Sequence, residues 1–427
     1  MSSEMRTRGA AKWVSGFVAA IVMISVASDA VAQPHWPDYR GPNTQGHAPW
    51  ADLPTTWSED QNVTWKVAIP HRGWSSPVVH GNQIWMTTAT RDGQDLFAIC
   101  VDLKTGELLH NFKVFDHNEP DNVNTLNSHA SPSPVIEEGR VYVHFGDYGT
   151  AAIDTASAEV VWERRDLNLT HFEGAGSSPI LYEDMLIFHC DGTDVQYVVA
   201  LNKHTGETVW KTDRSRDMAA IRMHRRKAYT TPVVWEIEGK PQLLSQGAEA
   251  MYSYDPHTGE ELWRVIFSGY STVPRPVIGD GALYISTGFD QASLLRIRLD
   301  GSRGDLTDTH IEWQLERSQI PHRPSFLLID GLIYTVSDNG IGQAIEAETG
   351  EVIWRERFGG QYSASPIYDG QHIYFFSQEG DTIVFPPGRE FNQVAHNQLD
   401  AGFMASPAVV DNTLILRTET HLYRIDP

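Results

Sequence analysis

Cationic and aromatic side chains recur along this chain at positions that could bind an anion. Most of them lie shortly before a short apolar segment. The candidate ligand-binding residues are His71, Arg72, Trp74, His129, His171, Glu173, His224, Arg225, Tyr270, Arg275, His322, Arg323 and Tyr362. Any one of them could simply anchor its loop by hydrogen bonds. Guanidinium and imidazole groups that converge, however, would bind a carboxylate, sulfate or phosphate.

Two further kinds of chemistry are open to this chain. Eliminative cleavage of an acidic polysaccharide needs a cation to neutralise the uronate and a group to move the proton, for which the candidates are His224, Tyr229, Tyr270 and Arg275. Calcium takes several oxygen ligands, and such residues occur in segments 146–149, 191–194, 246–249, 290–291 and 337–340. Because Asp and Asn beside glycine are ordinary turn residues, the turn interpretation is preferred. The sequence has neither zinc-type Cys/His spacing nor a C-x-x-C-H haem motif.

An internal repeat spaces the candidates. A small residue or arginine followed by proline begins an apolar run seven times, and one degenerate copy fills the remaining gap. The marker residues are Pro77, Pro134, Pro179, Pro232, Pro276, Phe326, Pro366 and Pro407. Their spacings of 40 to 57 residues are typical of propellers and solenoids.

Each repeat has the pattern of a four-stranded antiparallel sheet. A polar turn such as Asp330-Gly331 separates the first two apolar runs, as in a hairpin. In the clearest copies a third run leads through Thr-Gly-Glu to a fourth that carries tryptophan, and two other copies have Ala158 in the glycine position or His110 in the tryptophan position. Fourth strands are predicted at 108–113, 160–164, 208–211, 261–265, 311–315, 352–355 and 392–395.

The strand count predicts how the repeats close. Eight first strands are followed by seven fourth strands, and Asn62 to Val67 supplies the missing one, with Trp65 in the tryptophan position. The sequence therefore predicts an all-β fold, an eight-bladed β-propeller of four-stranded antiparallel blades, closed by pairing of the N-terminal strand with the last blade. An open β-solenoid with unrelated ends is the alternative.

Propeller geometry assigns the candidates to one face. Loops that lead into first strands, and loops between second and third strands, surround the same end of the central channel. The candidate residues fall in the first class of loops and would form a cationic mouth that attracts anions. Acidic turns such as Glu137-Glu138 fall on the opposite face, where they need no function.

The pattern Ala-x-Asp-x-x-Thr-Gly-Glu-x-x-Trp, with its small-residue–proline strand starts, resembles the quinoprotein-type (PQQ-like) propeller repeat over residues 57–427. The resemblance extends to PQQ-dependent alcohol dehydrogenases and to the propeller subunit of the outer-membrane barrel assembly machinery. It implies that Trp162, Trp210, Trp263, Trp313 and Trp354 dock each blade on its neighbour. If the chain were a dehydrogenase, the resemblance would imply PQQ with calcium as its cofactor. The sequence lacks the adjacent Cys-Cys pair of those enzymes, and their calcium ligands cannot be matched to it residue by residue.

Three functions fit these observations. The first is a non-catalytic binding or scaffold module that takes a protein, glycan or other anionic ligand at the cationic mouth. The alternative is a PQQ- and calcium-dependent dehydrogenase of alcohols or sugars, and the second alternative is a lyase on acidic polysaccharide. Nucleic acid is disfavoured as a partner because the chain has 33 Lys and Arg against 55 Asp and Glu.

The first 32 residues have the pattern of a secretory signal peptide, with cationic residues before an apolar run at 13–28 and the cleavage site Ala30-Val31-Ala32. An uncleaved anchor helix is the alternative. The predicted organisation is a signal peptide (1–32), an N-terminal extension (33–61) and the propeller (62–427). We expect a periplasmic or secreted monomer without a transmembrane segment in the mature chain. Cys100 and Cys190 fall on non-adjacent blades and are not expected to pair.

Overall fold

The computed structural model describes residues 35–316 and 319–427. Eight antiparallel sheets, each built on four strands, follow one another along this part of the chain, and each sheet is called a blade. This confirms the predicted all-β, eight-bladed propeller. The signal-peptide prediction for residues 1–32 lies outside the described residues. No helix in the described ranges is long and apolar enough to cross a bilayer.

The strands of blades 1 to 4 run from the channel outward as follows. Blade 1 contains Val78–His80, Gln83–Ala89, Asp95–Asp102 and Leu108–Asp116. Blade 2 contains Val135–Glu137, Arg140–His144, Thr150–Asp154 and Val160–Arg164. Blade 3 contains Ile180–Tyr182, Met185–Asp191, Gln196–Asn202 and Thr208–Asp213. Blade 4 contains Val233–Ile237, Lys240–Gln246, Ala250–Tyr254 and Glu261–Ile266.

Blades 5 to 8 repeat the arrangement. Blade 5 contains Val277–Gly279, Ala282–Ser286, Ser293–Arg298 and Ile311–Glu316. Blade 6 contains Leu327–Ile329, Leu332–Val336, Ile341–Glu346 and Val352–Arg357. Blade 7 contains Ile367–Tyr368, Ile373–Phe376, Asp381–Phe385 and Ala395–Gln398. Blade 8 contains Ala408–Val410, Thr413–Arg417, His421–Ile425 and, from the other end of the chain, Val63–Ala68.

Short elements complete the described chain. Gly304–Asp305 adds a parallel strand to the outer edge of blade 4 and leads to the α-helix Thr307–His310. Single 3₁₀ turns lie at Gly146–Tyr148 and Met223–Arg225. His35–Trp36 pairs with the innermost strand of blade 1.

The ring closes as predicted. Val63–Ala68 pairs antiparallel with His421–Ile425, and Trp65 lies opposite Arg424. Trp65 donates its indole N–H to the Leu103 carbonyl of blade 1 at 3.1 Å. The outer strand of blade 8 therefore comes from the beginning of the chain and its inner three from the end, which leaves no unpaired blade edge between the termini.

Tryptophans of the fourth strands join five of the blades to the following blade by hydrogen bonds. The indoles that donate to a backbone carbonyl of the following blade are those of Trp65, Trp162, Trp210, Trp313 and Trp354. The Trp162 ring also covers Gly206 of the next Thr-Gly-Glu turn, where an added Cβ would lie 2.7 Å from the ring. Trp263 differs, because it packs in a core shared with blade 5 but donates to Gln242 of its own blade.

The last predicted fourth strand is misplaced. The sequence places it at 392–395, whereas the strand is Ala395–Gln398. Phe391 explains the difference, because its ring packs on Trp354 of blade 6, with ring centroids 5.3 Å apart. That contact belongs to the loop between the third and fourth strands, so the strand begins later.

The N-terminal segment lies inside the channel. Residues 35–48, here called the plug, start beside the innermost strand of blade 1, where Trp36 faces Val79. The Pro37 carbonyl accepts from the Ile136 N–H of blade 2, and Ala48 N–H donates to the Tyr368 carbonyl of blade 7. Propeller channels are open unless something fills them, and here the chain's own extension crosses from one side to the other.

Arg40 fixes the middle of the plug. It is only 1% exposed, and its guanidinium donates to the Phe326 carbonyl at 3.1 Å, to the Pro366 carbonyl and to the Gln45 carbonyl at 2.7 Å. These acceptors belong to blades 6 and 7 and to the plug itself. A buried guanidinium is stable only when its donors are satisfied, so Arg40 holds the plug at a defined depth.

The two cysteines are buried in different cores and are unpaired. Burial raises the pKa of both thiols, that of Cys190 to about 12. Neither thiol is therefore set up as a nucleophile.

Candidate functional site

A cavity of about 820 Å³ opens at the face where loops lead into the first strands. Those loops from all eight blades build its wall, and Phe289 and Asp338 add the loops between second and third strands of blades 5 and 6. Tyr39 of the plug lies at its closed end. The volume falls within the range of small-molecule sites.

Six of the thirteen candidate residues line this cavity: Trp74, Glu173, His224, Tyr270, His322 and Arg323. Three others flank them. Arg72 lies over the Trp74 ring at 4.8 Å and Arg225 over the Tyr270 ring at 4.7 Å. His71 stacks on Phe97 with ring centroids 4.0 Å apart.

The remaining four candidates are not part of the wall. Tyr362 is 1% exposed and belongs to the core shared by blades 6 and 7. His129 is buried near Tyr148, and both ring nitrogens of His171 are buried. Arg275 lies deeper, in the channel beneath the cavity. These placements reflect side-chain direction, which a loop sequence does not specify.

The charges at the mouth are largely paired. Lys227 lies 3.2 Å from Glu173, Arg225 lies 3.6 Å from Glu249, and Arg323 donates to Asp338 at 2.7 Å. Arg225 and Arg323 are candidates from the sequence analysis, and Lys227 lies close to Arg225 in the sequence. In each pair the carboxylate comes from an adjacent loop or blade. The mouth is therefore much less cationic than its arginine and histidine content predicts, and Arg72 contacts an aromatic ring rather than an acid.

Apolar side chains stand around the opening instead. Leu126 is 50% exposed, Phe172 59%, Met223 60% and Phe289 55%, and all four line the cavity. These four residues are called the apolar rim. The sequence analysis missed them because a single exposed apolar residue in a loop carries no pattern, and only the fold shows that four loops bring theirs to one opening.

Seven hydroxyl side chains circle the floor of the cavity. This hydroxyl ring consists of Ser76, Ser133, Ser178, Thr231, Ser325, Ser365 and Ser406, which all line the cavity. Each oxygen accepts the backbone N–H of the residue in the same repeat position of the preceding blade, at 2.8–3.1 Å. The repeat markers were interpreted as strand starts, and the recurrence of a hydroxyl before the proline was the available signal for this ring.

Arg275 occupies the eighth position of the ring. Its side chain turns into the channel, where the guanidinium donates to Asp38 at 2.6 Å and to the Pro232 carbonyl at 2.8 Å. Asp38 also accepts the Arg40 backbone N–H at 2.8 Å. The one repeat marker that departs from a hydroxyl thus binds the plug.

The residues of the cavity do not fit a calcium-bound PQQ. The carboxylates that line it, Glu173 and Asp338, belong to blades 3 and 6 and are each held by a cation. Asp191 of a predicted calcium loop is held by Arg214 at 2.7 Å. Across residues 35–316 and 319–427, no three His, Cys, Asp or Glu side chains converge as metal ligands.

The lyase candidates are also poorly arranged for proton removal. Burial and the neighbouring Glu173 raise the pKa of Tyr229, so its phenol stays protonated at neutral pH and cannot remove a proton from a substrate. Arg275 is committed to Asp38 and cannot reach a uronate in the cavity. His224 and Tyr270 do meet, with ring centroids 6.1 Å apart, but Arg275, the cation of this set, does not line the cavity with them.

Two buried histidines lie behind the wall in blades 2 and 3. His144 donates to or accepts from Thr150 at 2.8 Å, and His189 contacts Ser245 at 3.1 Å. Burial lowers the pKa of His144 to about 3, with His171 and His189 as smaller causes, and that of His189 to about 4. Both are neutral in the folded protein at pH 5.

We expect acid to destabilise the fold through these histidines. In the unfolded chain a histidine imidazole is protonated below about pH 6.5. In the folded protein the lowered pKa delays protonation of His189 to about pH 4 and of His144 to about pH 3. Stability is therefore complete above pH 6.5 and falls below it, by about 1.4 kcal/mol per pH unit for each histidine. Urea unfolding of wild type and His189→Gln between pH 7 and 5 checks this. The free energy of unfolding of the variant should fall less steeply with decreasing pH, by up to about 1.4 kcal/mol per pH unit. An unchanged slope would show that the pKa of His189 is the same in the folded and unfolded chain.

Comparisons with known proteins agree with the fold. The protein family described as outer membrane protein assembly factor BamB matches residues 57–300, 167–356 and 247–427. Methanol dehydrogenase (cytochrome c) subunit 1 of Methylobacterium organophilum is 28% identical over 167 residues, 34% of this chain and 24% of that protein. BamB of Yersinia pestis is 21% identical over 233 residues, 44% of this chain and 58% of that protein. The chain thus matches about a quarter and somewhat over half of these relatives' lengths.

Solved structures show the same architecture. The crystal structure of BamB from Moraxella catarrhalis superposes with a TM-score of 0.59, covering 85% of this chain and 99% of that one at 13% identity. Quinohemoprotein alcohol dehydrogenase from Comamonas testosteroni superposes with a TM-score of 0.60, covering 92% of this chain and 80% of that one at 11% identity. Likeness at such identities shows a shared propeller fold, which hosts several functions.

Proposed function

This chain belongs to the family described as outer membrane protein assembly factor BamB, a family of quinoprotein-type propellers, and we propose that it is a non-catalytic binding propeller that holds a protein partner at the mouth of its cavity. The observation that carries the proposal is the apolar rim. Four half-exposed apolar side chains around one concave opening form a surface that water solvates poorly. Such patches on a soluble protein mark binding sites.

The polar groups of the mouth support binding rather than catalysis. A general base or acid must be free to exchange its proton with a substrate, whereas Glu173 and Asp338 are ion-paired. The pairs Lys227–Glu173 and Arg323–Asp338 hold adjacent loops together and keep the wall preformed. A rigid wall lowers the entropy cost of binding a partner.

The relatives favour the same conclusion. BamB is by its name an assembly factor for outer membrane proteins, and a partner of this chain would accordingly be a protein segment that inserts an apolar side chain between the rim residues. With the signal peptide predicted from the sequence, the proposed encounter would occur in the periplasm or outside the cell. We keep part of the expectation that the partner is anionic, because Arg72 and the channel floor still supply positive charge.

We expect Phe172→Ser with Phe289→Ser to reduce capture of the partner by at least tenfold, because the two rings supply much of the apolar contact area of the rim. The measurement is recovery of proteins from a cell-envelope extract on immobilised wild type and variant. Trp50→Ser is the matched control, because Trp50 is 51% exposed but lies outside the cavity. Melting temperatures of all three should agree. Equal recovery by the rim variant would contradict the proposal.

The dehydrogenase alternative has its own measurement. Addition of PQQ with Ca²⁺ to the purified protein should leave the quinone absorption unchanged, since no carboxylate set in the cavity is free to hold the metal. A spectral change at micromolar cofactor, with dye reduction by alcohols or sugars, would replace the binding proposal with an enzymatic one.

A further inference from the structure

The floor of the cavity offers a circle of hydroxyl protons. Each hydroxyl of the ring accepts one backbone N–H and keeps its own proton and one lone pair. Ser325 uses its proton on Tyr39. In the ranges 35–316 and 319–427, the other six hydroxyls donate to no protein atom and line the open space.

Positive charge lies directly beneath the ring. Arg275 pairs with the carboxylate of Asp38, whereas the Arg40 guanidinium donates to the carbonyls of Pro366, Gln45 and Phe326, so these three buried side chains carry one uncompensated positive charge. Burial lowers the pKa of Arg40 to about 10, which still leaves it charged at neutral pH. The field of this excess charge acts in a poorly screened channel and points toward the cavity.

Arg417 adds a second buried charge at the level of the ring. It is 2% exposed and donates to the carbonyl and hydroxyl oxygens of Ser75 and to the Thr87 carbonyl. No carboxylate of the described residues pairs with it. Ser75 immediately precedes Ser76 of the ring, so this charge lies just behind the cavity wall.

We propose that the hydroxyl ring is a binding site for a carboxylate, and that the preferred ligand of the cavity has an apolar body at the rim and a carboxylate at the floor. This rests on the proposed function, because it concerns the same cavity. Carboxylate oxygens accept hydrogen bonds from neutral hydroxyls and are attracted by the excess charge below them. A cationic ligand group would be repelled by the same buried positive charge.

A carboxylate fits better than a dianionic phosphate. The terminal NH₂ groups of Arg40 and Arg275 donate to backbone carbonyls and Asp38, and neither arginine lines the cavity, so they do not reach the ligand as a fork. The donors that touch the ligand are hydroxyls, which suit a single delocalised charge. The arginines act from below through their field alone.

The test compares naphthalene-2-carboxylate with its uncharged carboxamide by isothermal titration calorimetry on the purified chain. Both have the same apolar body, so the rim contributes equally. We expect the carboxylate to bind at least tenfold more tightly. Equal affinities, or no carboxylate binding at millimolar concentration, would overturn the proposal.

Ring variants locate the preference. Ser133→Ala with Ser178→Ala removes two neighbouring donors and should reduce the carboxylate preference to about twofold or less, with little change for the carboxamide. Ser363→Ala is the matched control, since Ser363 lines the cavity but is not in the ring. If the double variant does not fold, Ser178→Ala alone is measured, with a smaller reduction expected. A folded ring variant that keeps the full preference would refute the assignment.

A pair of peptides distinguishes the source of the carboxylate. Acetyl-Phe-Glu-Phe-amide and its glutamine counterpart carry the same contrast on a protein segment. A preference for the glutamate peptide would indicate an acidic side chain of a partner, and a preference seen only with the naphthalene acid would indicate a small organic acid. Capture by the rim is measured separately, so loss of carboxylate preference with intact capture would reject the floor site and leave the proposed function standing.

Discussion

A chain that ends at Thr418 is expected to lose cooperative unfolding altogether. The truncation removes His421–Ile425, the strand on which Val63–Ala68 pairs to close the ring. Leu422, Tyr423 and Ile425 are fully buried. Each buried side chain of this kind contributes roughly 1.5–3 kcal/mol, so their sum approaches the 5–15 kcal/mol by which a whole domain is stable.

Closure adds to this loss, because Val63–Ala68 would have no partner and blade 8 would expose the edge of Thr413–Arg417. Calorimetry and urea titration followed by far-UV circular dichroism give the measurement. A chain that ends at Ile425 is the control, since it keeps every strand and loses Pro427 and Asp426, the latter with its hydrogen bonds to Thr64, Thr413 and Arg424. That control should unfold cooperatively with modestly lower stability. A sharp transition in the Thr418 truncation would show that the ring does not depend on its closing strand.

The sequence predicts the ring so well because each blade repeats one local pattern. Two departures from the pattern, in blades 1 and 2, have a common explanation. In the intact interfaces a tryptophan of one blade covers the glycine of the next, as Trp162 covers Gly206. Blade 1 has His110 in the tryptophan position and blade 2 has Ala158 in the glycine position, so both substitutions fall at the same interface. Ala158 adopts a φ of 60° there and packs on the core between the two blades.

The site was less predictable, because it depends on contacts that no repeat encodes. The plug comes from a segment with no repeat pattern, and Asp38 finds Arg275 across 237 residues of chain. Which cations remain free depends on which carboxylates the fold brings beside them, as Glu249 beside Arg225. The residue types were therefore enough to predict which face of the propeller carries the site. The net charge of that face could be known only from the ion pairs that the folded structure forms.

Asp38→Asn is expected to destabilise the protein by about 3–5 kcal/mol, the range for removing one partner of a buried ion pair. Asp38 and Arg275 are both buried and 2.6 Å apart. Asparagine preserves the shape and can still accept the Arg40 N–H, but it leaves the Arg40 and Arg275 guanidiniums with no counter-charge in the channel. Denaturant unfolding at pH 7 measures the loss.

A double-mutant cycle separates the pair from the loss of either residue. Arg275→Gln alone also destabilises, but the combination with Asp38→Asn should cost less than the sum, with a coupling energy of about 2 kcal/mol or more. The exposed pair Lys113–Asp95, at 3.2 Å, provides the comparison, because solvent-exposed pairs contribute about 1 kcal/mol or less. Additive effects of Asp38→Asn and Arg275→Gln would mean that the plug is held by Arg40 and its carbonyls alone. Strong coupling would instead mean that the one arginine in the hydroxyl ring is there to anchor the segment that closes the channel and forms the floor of the cavity.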